Sequence, residues 1–357
     1  MAGIRFFYGV HVVRNIVAKG QLYTLLYRII EQIRKLWYDT LYEVITIKGE
    51  HVMKRVQVLL STYNGEQYIR EQLDSILQQD YENIQILIRD DGSTDRTVSI
   101  LEEYSKEYSN VTYYAGNNVG VINSFFDLIK CADETADYYA FSDQDDVWLK
   151  EKITMAVDKL EEKLKAEKKV IPLLYSSVTT LVDKDLKILP YGSIKQNYKA
   201  TFGNALVENI CAGCTCVINH VLWEILKDRL PQFTMMHDWW IYLTASFYGK
   251  VIFDTKSYIL YRQHGKNVLG GRKSYLQELS LRLKKFKKSQ GKFSRQADEF
   301  IRVHQISSKG KGALAYYVAE YKKNLKYRLK VVTSNQIIRQ RKMDDLVFRL
   351  LFLTGMR

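Results

Sequence analysis

The feature that most constrains the fold is a regular alternation of short apolar runs and helix-like segments between residues 54 and 146. The runs KRVQVLLSTYNG, NIQILIRDDGSTDRT and ADYYAFSDQDD each have the length of a strand and each end in polar residues. Segments with helical spacing, such as EQYIREQLDSILQQD, stand between them. Strands that alternate with helices predict a mostly parallel sheet covered by helices on both faces, an α/β fold.

Polar side chains follow three of the predicted strands, at the point where each strand ends. In parallel sheets, ligands bind at the carboxyl ends of the strands. The three clusters therefore predict a single binding site at one edge of the sheet. They are Ser61-Thr62-Tyr63-Asn64, Asp90-Asp91-Gly92-Ser93 and Asp143-Gln144-Asp145-Asp146.

The third cluster brings three carboxylates together. Asp143 and Asp145 share a face of the strand, and a turn can bring Asp146 beside them. Such charges repel one another unless something positive lies between them. Oxygen ligands of this kind suit Mg²⁺ or Mn²⁺, which bridge protein carboxylates to substrate phosphates. An Asp-rich turn can also be a solvated loop or a helix cap, but its place after a buried-looking strand favours a metal carrying a diphosphate.

The positive charge of the chain lies mainly in its C-terminal part. Composition is that of a globular protein, and the net charge is +13. Residues 271–357 hold 22 Lys and Arg against 6 Asp and Glu, whereas residues 51–270 hold 24 against 30. The stretch SYLQELSLRLKKFKKS has apolar residues at helical spacing among lysines, which is typical of a basic amphipathic helix on a membrane surface. A solvated helix packed on its own domain is the alternative.

The four cysteines do not predict a disulfide framework. They are Cys131, Cys211, Cys214 and Cys216, and no secretory signal is evident before them, so we expect a reducing cytoplasm. Cys211 and Cys214 form a CxxC without a second ligand pair, which disfavours zinc. No run reaches the roughly 20 apolar residues of a membrane-spanning helix.

Two other functional classes fit the sequence poorly. A nucleic-acid-binding protein would explain the basic tail, but no helix-turn-helix, zinc-finger or aromatic RNA-binding signature is present, so no nucleic-acid partner is expected. A dehydrogenase would explain the alternating strands, but STYNGE follows the first strand in place of a GxGxxG motif.

Several ordered motifs give the chain a family resemblance. The three strand-end clusters, NNVGVINSF, GCTCVIN at 213–219, MHDWW at 236–240 and YRQHGKN at 261–267 follow one another as in glycosyltransferase family 2. The chain looks especially like bacterial rhamnosyltransferases that assemble cell-wall or capsular rhamnose polysaccharides. The resemblance implies a GT-A, Rossmann-like fold with a mixed, mostly parallel sheet. It also implies a helical extension over 1–52, a catalytic domain over 53–270 and a basic helical region over 271–357.

The resemblance assigns donor-binding roles to the strand ends. It implies that Asp143 and Asp145 form the DxD pair that holds the donor sugar and the metal, with Asp145 as the direct ligand and Asp146 as its nearest substitute. Asp91, beside Asp90, matches the carboxylate that accepts the imide N–H of the base. The matched residues Thr62, Tyr63 and Asn64 lie in the loop that packs on the base and ribose. Asn118 and Gly120 match the loop that approaches the donor, where a glycine allows close backbone contact.

Catalytic and acceptor roles follow from the later motifs. Asp238 matches the family's catalytic aspartate, which takes the proton of the acceptor hydroxyl. His264 matches a histidine that reaches the metal or the diphosphate, and Arg262 or Lys266 could neutralise phosphate oxygens. Five residues are assigned to the acceptor side, although the two tryptophans among them could equally be core residues. They are Gly213, Cys214, Thr215, Trp239 and Trp240.

Together these observations predict an inverting transferase with a divalent cation, Mn²⁺ or Mg²⁺. The expected reaction moves L-rhamnose from dTDP-L-rhamnose to a hydroxyl of a lipid-linked glycan; a UDP-hexose or UDP-N-acetylhexosamine donor is the alternative. The enzyme is expected in the cytoplasm, held peripherally on the inner face of the cell membrane by its basic helices. Residues 1–52 could form a membrane-surface or a dimerisation helix, so a homodimer is also considered.

Overall fold

The computed structural model of the chain describes residues 53–190, 198–263 and 291–354. Its centre is a seven-stranded sheet in the order β3-β2-β1-β4-β8-β6-β9. The bounds are β1 (Val56–Thr62), β2 (Ile84–Asp90), β3 (Val111–Ala115), β4 (Tyr138–Ser142), β6 (Leu173–Ser177), β8 (Val217–Asn219) and β9 (Lys250–Asp254). β1 is parallel to β2 and β4, and β2 is parallel to β3, whereas β8 runs antiparallel to both of its neighbours. The mixed, mostly parallel sheet confirms the predicted fold class.

A second, three-stranded sheet lies beside the acidic segment. It consists of β5 (Val147–Trp148), β7 (Thr180–Val182) and β10 (Ile259–Arg262) in the order β5-β10-β7. β10 is antiparallel to β5 and parallel to β7. Because β5 begins directly after Asp146, its pairing with β10 fixes the far end of the acidic segment.

Helices cover both faces of the large sheet. The described helices are α1 (Ile69–Leu77), α2 (Thr97–Glu107), α3 (Val121–Cys131), α4 (Lys152–Glu167), α5 (Phe202–Ala205), α6 (His220–Asp228), α7 (His237–Tyr248), α8 (described over 291–304), α9 (Ala313–Glu320), α10 (Leu325–Thr333) and α11 (Lys342–Thr354). Within the described residues, no helix combines the length and apolar character needed to cross a bilayer.

β1 shows why its sequence is a nearly continuous apolar run. Val58 and Leu60 belong to the apolar core under α1, α2 and α4, whereas Leu59 belongs to the core under α3, α6 and α7. Successive side chains of a strand point to opposite faces. A strand buried on both faces therefore needs apolar residues at consecutive positions rather than at alternate ones.

The C-terminal helices share the second of these cores. Phe300 of α8 and Phe348 of α11 are fully buried in the same apolar cluster as Phe125 and Trp240. The described residues from Met53 to Glu167 and from Ile171 onward belong to one compact unit. The stretch 274–289, the extension over 1–52 and the predicted boundary at residue 270 lie outside the described residues.

The shared core predicts how the C-terminal helices contribute to stability. Phe348→Ala should lower the free energy of unfolding of the whole chain by about 3 to 5 kcal/mol, because it leaves a cavity in that core. Leu350→Ala, on the exposed side of the same helix, should change it by less than about 0.5 kcal/mol. Chemical denaturation followed by tryptophan fluorescence measures both. Equal, small effects of the two substitutions would show that α11 does not stabilise the sheet.

Candidate active site

The carboxyl ends of β2, β1 and β4 lie side by side. In the parallel register, Thr62 pairs with Asp90, and Leu60 with Ser142. The side chain of Gln144 joins two of these ends: its Oε1 accepts hydrogen bonds from Thr62 Oγ1 and Tyr63 N, both at 2.7 Å, and its Nε2 donates to Tyr63 O at 3.1 Å. The predicted convergence of the polar clusters is therefore present.

The loop after β1 is closed by contacts with the loop after β2. Asn64 has a positive φ of 49°, its N donates to Ser93 Oγ at 2.8 Å, and its Oδ1 accepts from Thr94 N at 2.9 Å. Thr62 is buried, whereas Tyr63 is 46% exposed. Of the three residues predicted to contact the base and ribose, Tyr63 and Asn64 are thus exposed, whereas Thr62 is not.

Asp90 and Asp91 are both buried at the end of β2. The Asp90 carboxylate accepts hydrogen bonds from Gly92 N at 3.0 Å and Ser93 N at 2.8 Å, which fixes the turn. Gly92 has φ 82°, and a Cβ there would lie 3.0 Å from Asn118 N. The position requires glycine for both reasons.

The Asp91 carboxylate holds the loop that precedes α3. Its two oxygens accept hydrogen bonds from Val119 N and Gly120 N, each at 2.9 Å. Asp91 also forms a buried ion pair with Arg89, which contacts Asp127 as well. The structure therefore brings the predicted donor-loop residues Asn118 and Gly120 to the end of β2.

Two of the predicted metal ligands lie in one cluster with a cysteine. Single ligand atoms of Asp143, Asp146 and Cys214 lie within 4.8 Å of one another. Oδ1 of Asp146 accepts a hydrogen bond from Arg262 N at 3.1 Å. Its Oδ2 has no N–H or O–H partner among the described residues, and the Cys214 thiol lies beside the carboxylate.

Burial and acidic neighbours raise the pKa values of Asp143 and Asp146. Burial raises the pKa of Asp143 well above its usual range, and the charges of Asp146, Asp145 and Asp238 raise it further. Burial and the neighbouring Asp145 raise the pKa of Asp146 to about 7. Burial also raises the pKa of the Cys214 thiol, so this sulfur stays protonated. The site therefore disfavours negative charge and would gain from a positive group.

Arg262 anchors the acidic segment from β10. Its Nε donates to Asp145 O at 2.8 Å, its guanidinium pairs with Glu71, and it lies 4.4 Å from the centre of the Tyr68 ring. The side chain is buried and its donors are taken by protein groups, including the carbonyl of Lys184. The structure thus places Arg262 behind the segment instead of on an open surface. His264 and Lys266 lie outside the described residues.

Asp238 lies in the first turn of α7 and is buried. Its Oδ2 accepts a hydrogen bond from Gly213 N at 3.0 Å, whereas its Oδ1 has no hydrogen-bond partner within the described part of the chain. Burial raises its pKa to about 6, and this rise is opposed by the polar groups close to the carboxylate, which include the backbone N–H of Trp239 and the side chain of Asn209. Because its charge also raises the pKa of Asp143, the two carboxylates share one electrostatic environment.

Gly213 lets the segment before β8 approach α7 closely. A Cβ at Gly213 would lie 2.7 Å from His237 Nε2 and 3.5 Å from Asp238 Cβ. The His237 ring stacks on Phe125 with centroids 3.9 Å apart, and burial lowers its pKa to about 3, so it is neutral. A residue with a side chain at 213 would displace the start of α7.

The other residues predicted on the acceptor side are buried. Thr215 Oγ1 lies 2.7 Å from Ser176 Oγ, and both are fully buried. Trp239 Nε1 donates to Ala205 O at 2.6 Å, and Trp240 Nε1 donates to Arg229 O at 3.2 Å. Trp239 is 9% exposed and Trp240 is 0% exposed, so Trp240 packs as a core residue, one of the two roles that the sequence allowed.

Lys152 is a residue of the site that sequence reasoning missed. Its ammonium is buried without a hydrogen-bond partner among the described residues and lies 3.5 Å from the centre of the Trp148 ring. Burial lowers its pKa to about 8, while Cys214, Cys216 and Asp146 act in the opposite direction. The sequence does indicate that Lys152 faces the core, because it lies one helical turn before the buried Ala156 and two turns before the buried Leu160. The chain thus supplies one positive group near Asp146.

Comparison with known sequences places this site in a family. Residues 57–226 match the model of glycosyl transferase family 2. The dTDP-rhamnosyl transferase RfbG of Shigella flexneri is 34% identical over 231 residues, which cover 60% of this chain and 75% of that protein. An uncharacterized glycosyltransferase of Haemophilus influenzae is 39% identical over 164 residues, which cover 44% of this chain and 46% of that protein.

A solved structure has the same fold. The crystal structure of S. aureus TarS 1–349 in complex with UDP-GlcNAc superposes with a TM-score of 0.51 over 78% of this chain and 76% of that chain. At 19% identity, this likeness concerns the fold alone. The family model covers the strand ends and Asp143, Asp145 and Asp146, and the match to RfbG spans 75% of that protein at 34% identity. The chain therefore belongs to glycosyl transferase family 2, and its sheet has the GT-A fold.

Proposed function

We propose that the chain transfers L-rhamnose from dTDP-L-rhamnose to a hydroxyl group of a glycan, with inversion at the anomeric carbon. The choice of sugar is supported by the 34% identity with a protein described as a dTDP-rhamnosyl transferase. The reaction is supported by one observation above all. Asp238 carries a buried carboxylate oxygen without a hydrogen-bond partner in the described part of the chain, in the electrostatic environment of Asp143.

The nucleotide of the donor is proposed to lie across the ends of β1 and β2. Tyr63 offers an exposed ring beside Asn64, which suits packing against a base and ribose. Oδ1 of Asp91 accepts from Val119 N and pairs with Arg89, whereas Oδ2 accepts, among the described residues, from Gly120 N alone. The remaining lone pair of Oδ2 can accept the imide N–H of thymine or uracil. Val119 and Gly120 are held by the same carboxylate, so this loop is fixed in position before a donor binds.

The carboxylate ligands of the acidic segment fit a hard divalent cation, Mn²⁺ or Mg²⁺. Asp143 and Asp145 are partly exposed and would hold the ion, since carboxylate oxygens are its preferred ligands. The protonated Cys214 thiol is a poor ligand for it, and Asp146 is buried and fixed by Arg262 N. When bound, the cation would stabilise the nucleoside diphosphate as it leaves.

Asp238 is the proposed general base. Gly213 N holds Oδ2, so Oδ1 is the atom that would take the proton of the acceptor hydroxyl. The hydroxyl oxygen then forms its bond to the anomeric carbon as the bond from that carbon to the diphosphate oxygen breaks. Attack on the face opposite the leaving group inverts the configuration. A base with a pKa near 6 is ionised at neutral pH and still accepts a proton readily.

The acceptor is proposed to be a lipid-linked glycan of a cell-wall or capsular polysaccharide. The 22 Lys and Arg against 6 Asp and Glu in residues 271–357 suit an enzyme held peripherally at the inner face of the cell membrane. In this assignment residues 53–270 form the catalytic domain and residues 271–357 the basic helical region.

Replacing the proposed base tests the reaction directly. Asp238→Asn should lower the transfer rate by about 10²- to 10⁴-fold, because general base catalysis contributes roughly this factor. Donor affinity measured by calorimetry should change little, since Asp238 is not proposed to bind the nucleotide. Asp185→Asn, on an exposed turn, is the matched control and should behave as the wild type. Full transfer activity in Asp238→Asn would refute the assignment.

The pH dependence of transfer follows from the raised pKa of Asp238. The base must be ionised, so kcat/KM should be flat well above pH 6 and fall about tenfold for each pH unit below the pKa of about 6. Initial rates between acidic and neutral pH, with saturating donor and with acceptor well below its KM, measure this limb. The residual activity of Asp238→Asn should not show this fall of kcat/KM at acidic pH. A limb that persists unchanged in the variant would assign the titration to another group.

The close approach at Gly213 predicts a loss of catalysis without a loss of donor binding. Gly213→Ala places a Cβ 2.7 Å from His237 Nε2 and should shift Asp238, lowering kcat by about 10- to 100-fold while the donor KM stays within about twofold. Gly291→Ala is the control, since among the described residues its Cβ would meet only Lys322 Nζ, at 3.6 Å. Wild-type kcat in Gly213→Ala would show that the position of Asp238 is not limiting.

A further inference from the structure

Helix α10 carries an exposed face on which leucines and lysines alternate. Leu325 is 64% exposed and Leu329 is 46% exposed, one helical turn apart. Lys326 and Lys330 follow them at the same spacing, and with Thr333 these residues line a shallow depression. Large apolar side chains with this exposure next to lysines are unusual on a surface that only contacts water.

Helix α11 has apolar residues on two sides. Val347, Phe348 and Leu351 are buried in the core. The other side exposes leucines at intervals of four and three residues, so they lie along one stripe. They are Leu346 (51%), Leu350 (52%) and Leu353 (47%).

The two helices pack against each other. Arg349 of α11 donates to Val332 O and, at 2.9 Å, to Ser334 O at the end of α10. The exposed leucines of the two packed helices and the two lysines of α10, here together called the α10/α11 face, are Leu325, Lys326, Leu329, Lys330, Leu346, Leu350 and Leu353.

We propose that the α10/α11 face docks on an anionic lipid surface, with its leucines among the acyl chains and its lysines at the headgroups. Leucines beside lysines on a helix that lies along the protein surface are the pattern of interfacial membrane helices. Residues 321–354 contain nine Lys and Arg against two Asp, and one of the two, Asp345, pairs with Arg349. The surroundings of the face are thus positive, which complements anionic headgroups.

Other occupants fit the face less well. A second copy of the chain docked through the same face would bring Lys326 and Lys330 of both copies together, and like charges at a contact oppose association. A nucleic acid would use the lysines but would leave the five leucines exposed, because its phosphates are contacted by polar and charged groups. The inference goes beyond the transfer reaction by naming the surface that would contact the membrane, and it rests on the membrane association proposed above.

Vesicle flotation with the full chain tests the proposal. The wild type should partition at least about tenfold more strongly to vesicles of phosphatidylglycerol and phosphatidylcholine than to phosphatidylcholine alone. Leu346→Ser with Leu350→Ser and Leu353→Ser, and separately Lys326→Ser with Lys330→Ser, should each lower partition to the anionic vesicles by about tenfold. Lys187→Ser with Ile188→Ser, an exposed lysine and an apolar residue (66% exposed) on a different loop, is the matched control and should have no effect.

Several results would overturn the proposal. These are absence of wild-type binding to anionic vesicles, equal binding to neutral ones, or wild-type partition in both α10/α11 variants. Loss of binding in the lysine variant alone, with duplex DNA competing against vesicles, would assign the face to polyanions in general. A monomeric leucine variant of a dimeric wild type, with unchanged flotation, would assign it to self-association.

Thermal melting of each variant confirms folding, and the lysine pair remains a test if the leucine variant unfolds. Donor affinity separates this proposal from the proposed function, since a chain that floats but binds no nucleotide sugar would overturn only the latter.

Discussion

The repulsion among buried carboxylates governs the arrangement of the site. Burial and mutual repulsion raise the pKa values of Asp143 and Asp146, and Asp145 and Asp238 contribute to the same field. The fold offsets this cost with specific contacts. Arg262 N binds one oxygen of Asp146, Gly213 N binds one oxygen of Asp238, and the buried ammonium of Lys152 lies near the cluster. What these contacts leave is one carboxylate oxygen on Asp146 and one on Asp238 without an N–H or O–H partner among the described residues. In the proposed reaction the divalent cation would lie on the more exposed Asp143 and Asp145, and the acceptor hydroxyl would approach the unpartnered oxygen of Asp238.

Distant parts of the chain hold these groups. The small sheet β5-β10-β7 fixes the acidic segment through Arg262, whose guanidinium reaches the carbonyl of Asp145 and the carboxylate of Glu71. Helix α7 carries Asp238 and is itself packed in the core that α8 and α11 complete. The C-terminal helices therefore do two things on opposite sides. Their buried faces support the element that presents the proposed base, and their exposed leucines and lysines form the face proposed to meet a membrane.

The order of elements from β1 to β4 could be predicted from sequence because the periodicity that encodes it is local. The convergence of the three polar clusters followed from the geometry of parallel strands, without any knowledge of side-chain contacts. The antiparallel strand β8 and the small sheet could not be predicted, since β10 pairs with residues far away in sequence. For the same reason Arg262 was expected on a phosphate, whereas its guanidinium is bound by the acidic segment and α1. Lys152 was not predicted, because lysines are mostly solvated and only its helical spacing from the buried Ala156 and Leu160 indicates that it faces the core. The sequence allowed Trp240 to be a sugar contact or a core residue, and its burial in the structure decides for the core.

The most direct test of the proposed donor site is a calorimetric titration of the full chain with dTDP-L-rhamnose, UDP-glucose and UDP-N-acetylglucosamine. Each titration is run with Mn²⁺ and then with EDTA, on the wild type and on Asp145→Ala. The expected result is preferential binding of dTDP-L-rhamnose that weakens at least about tenfold when the cation is removed or Asp145 is replaced. Preferential binding of a uridine sugar would be compatible with the proposed mechanism but would refute L-rhamnose as the transferred sugar. Equal affinity with and without the cation in both proteins would contradict the metal role of the acidic segment, and no binding to any nucleotide sugar would contradict the donor site itself.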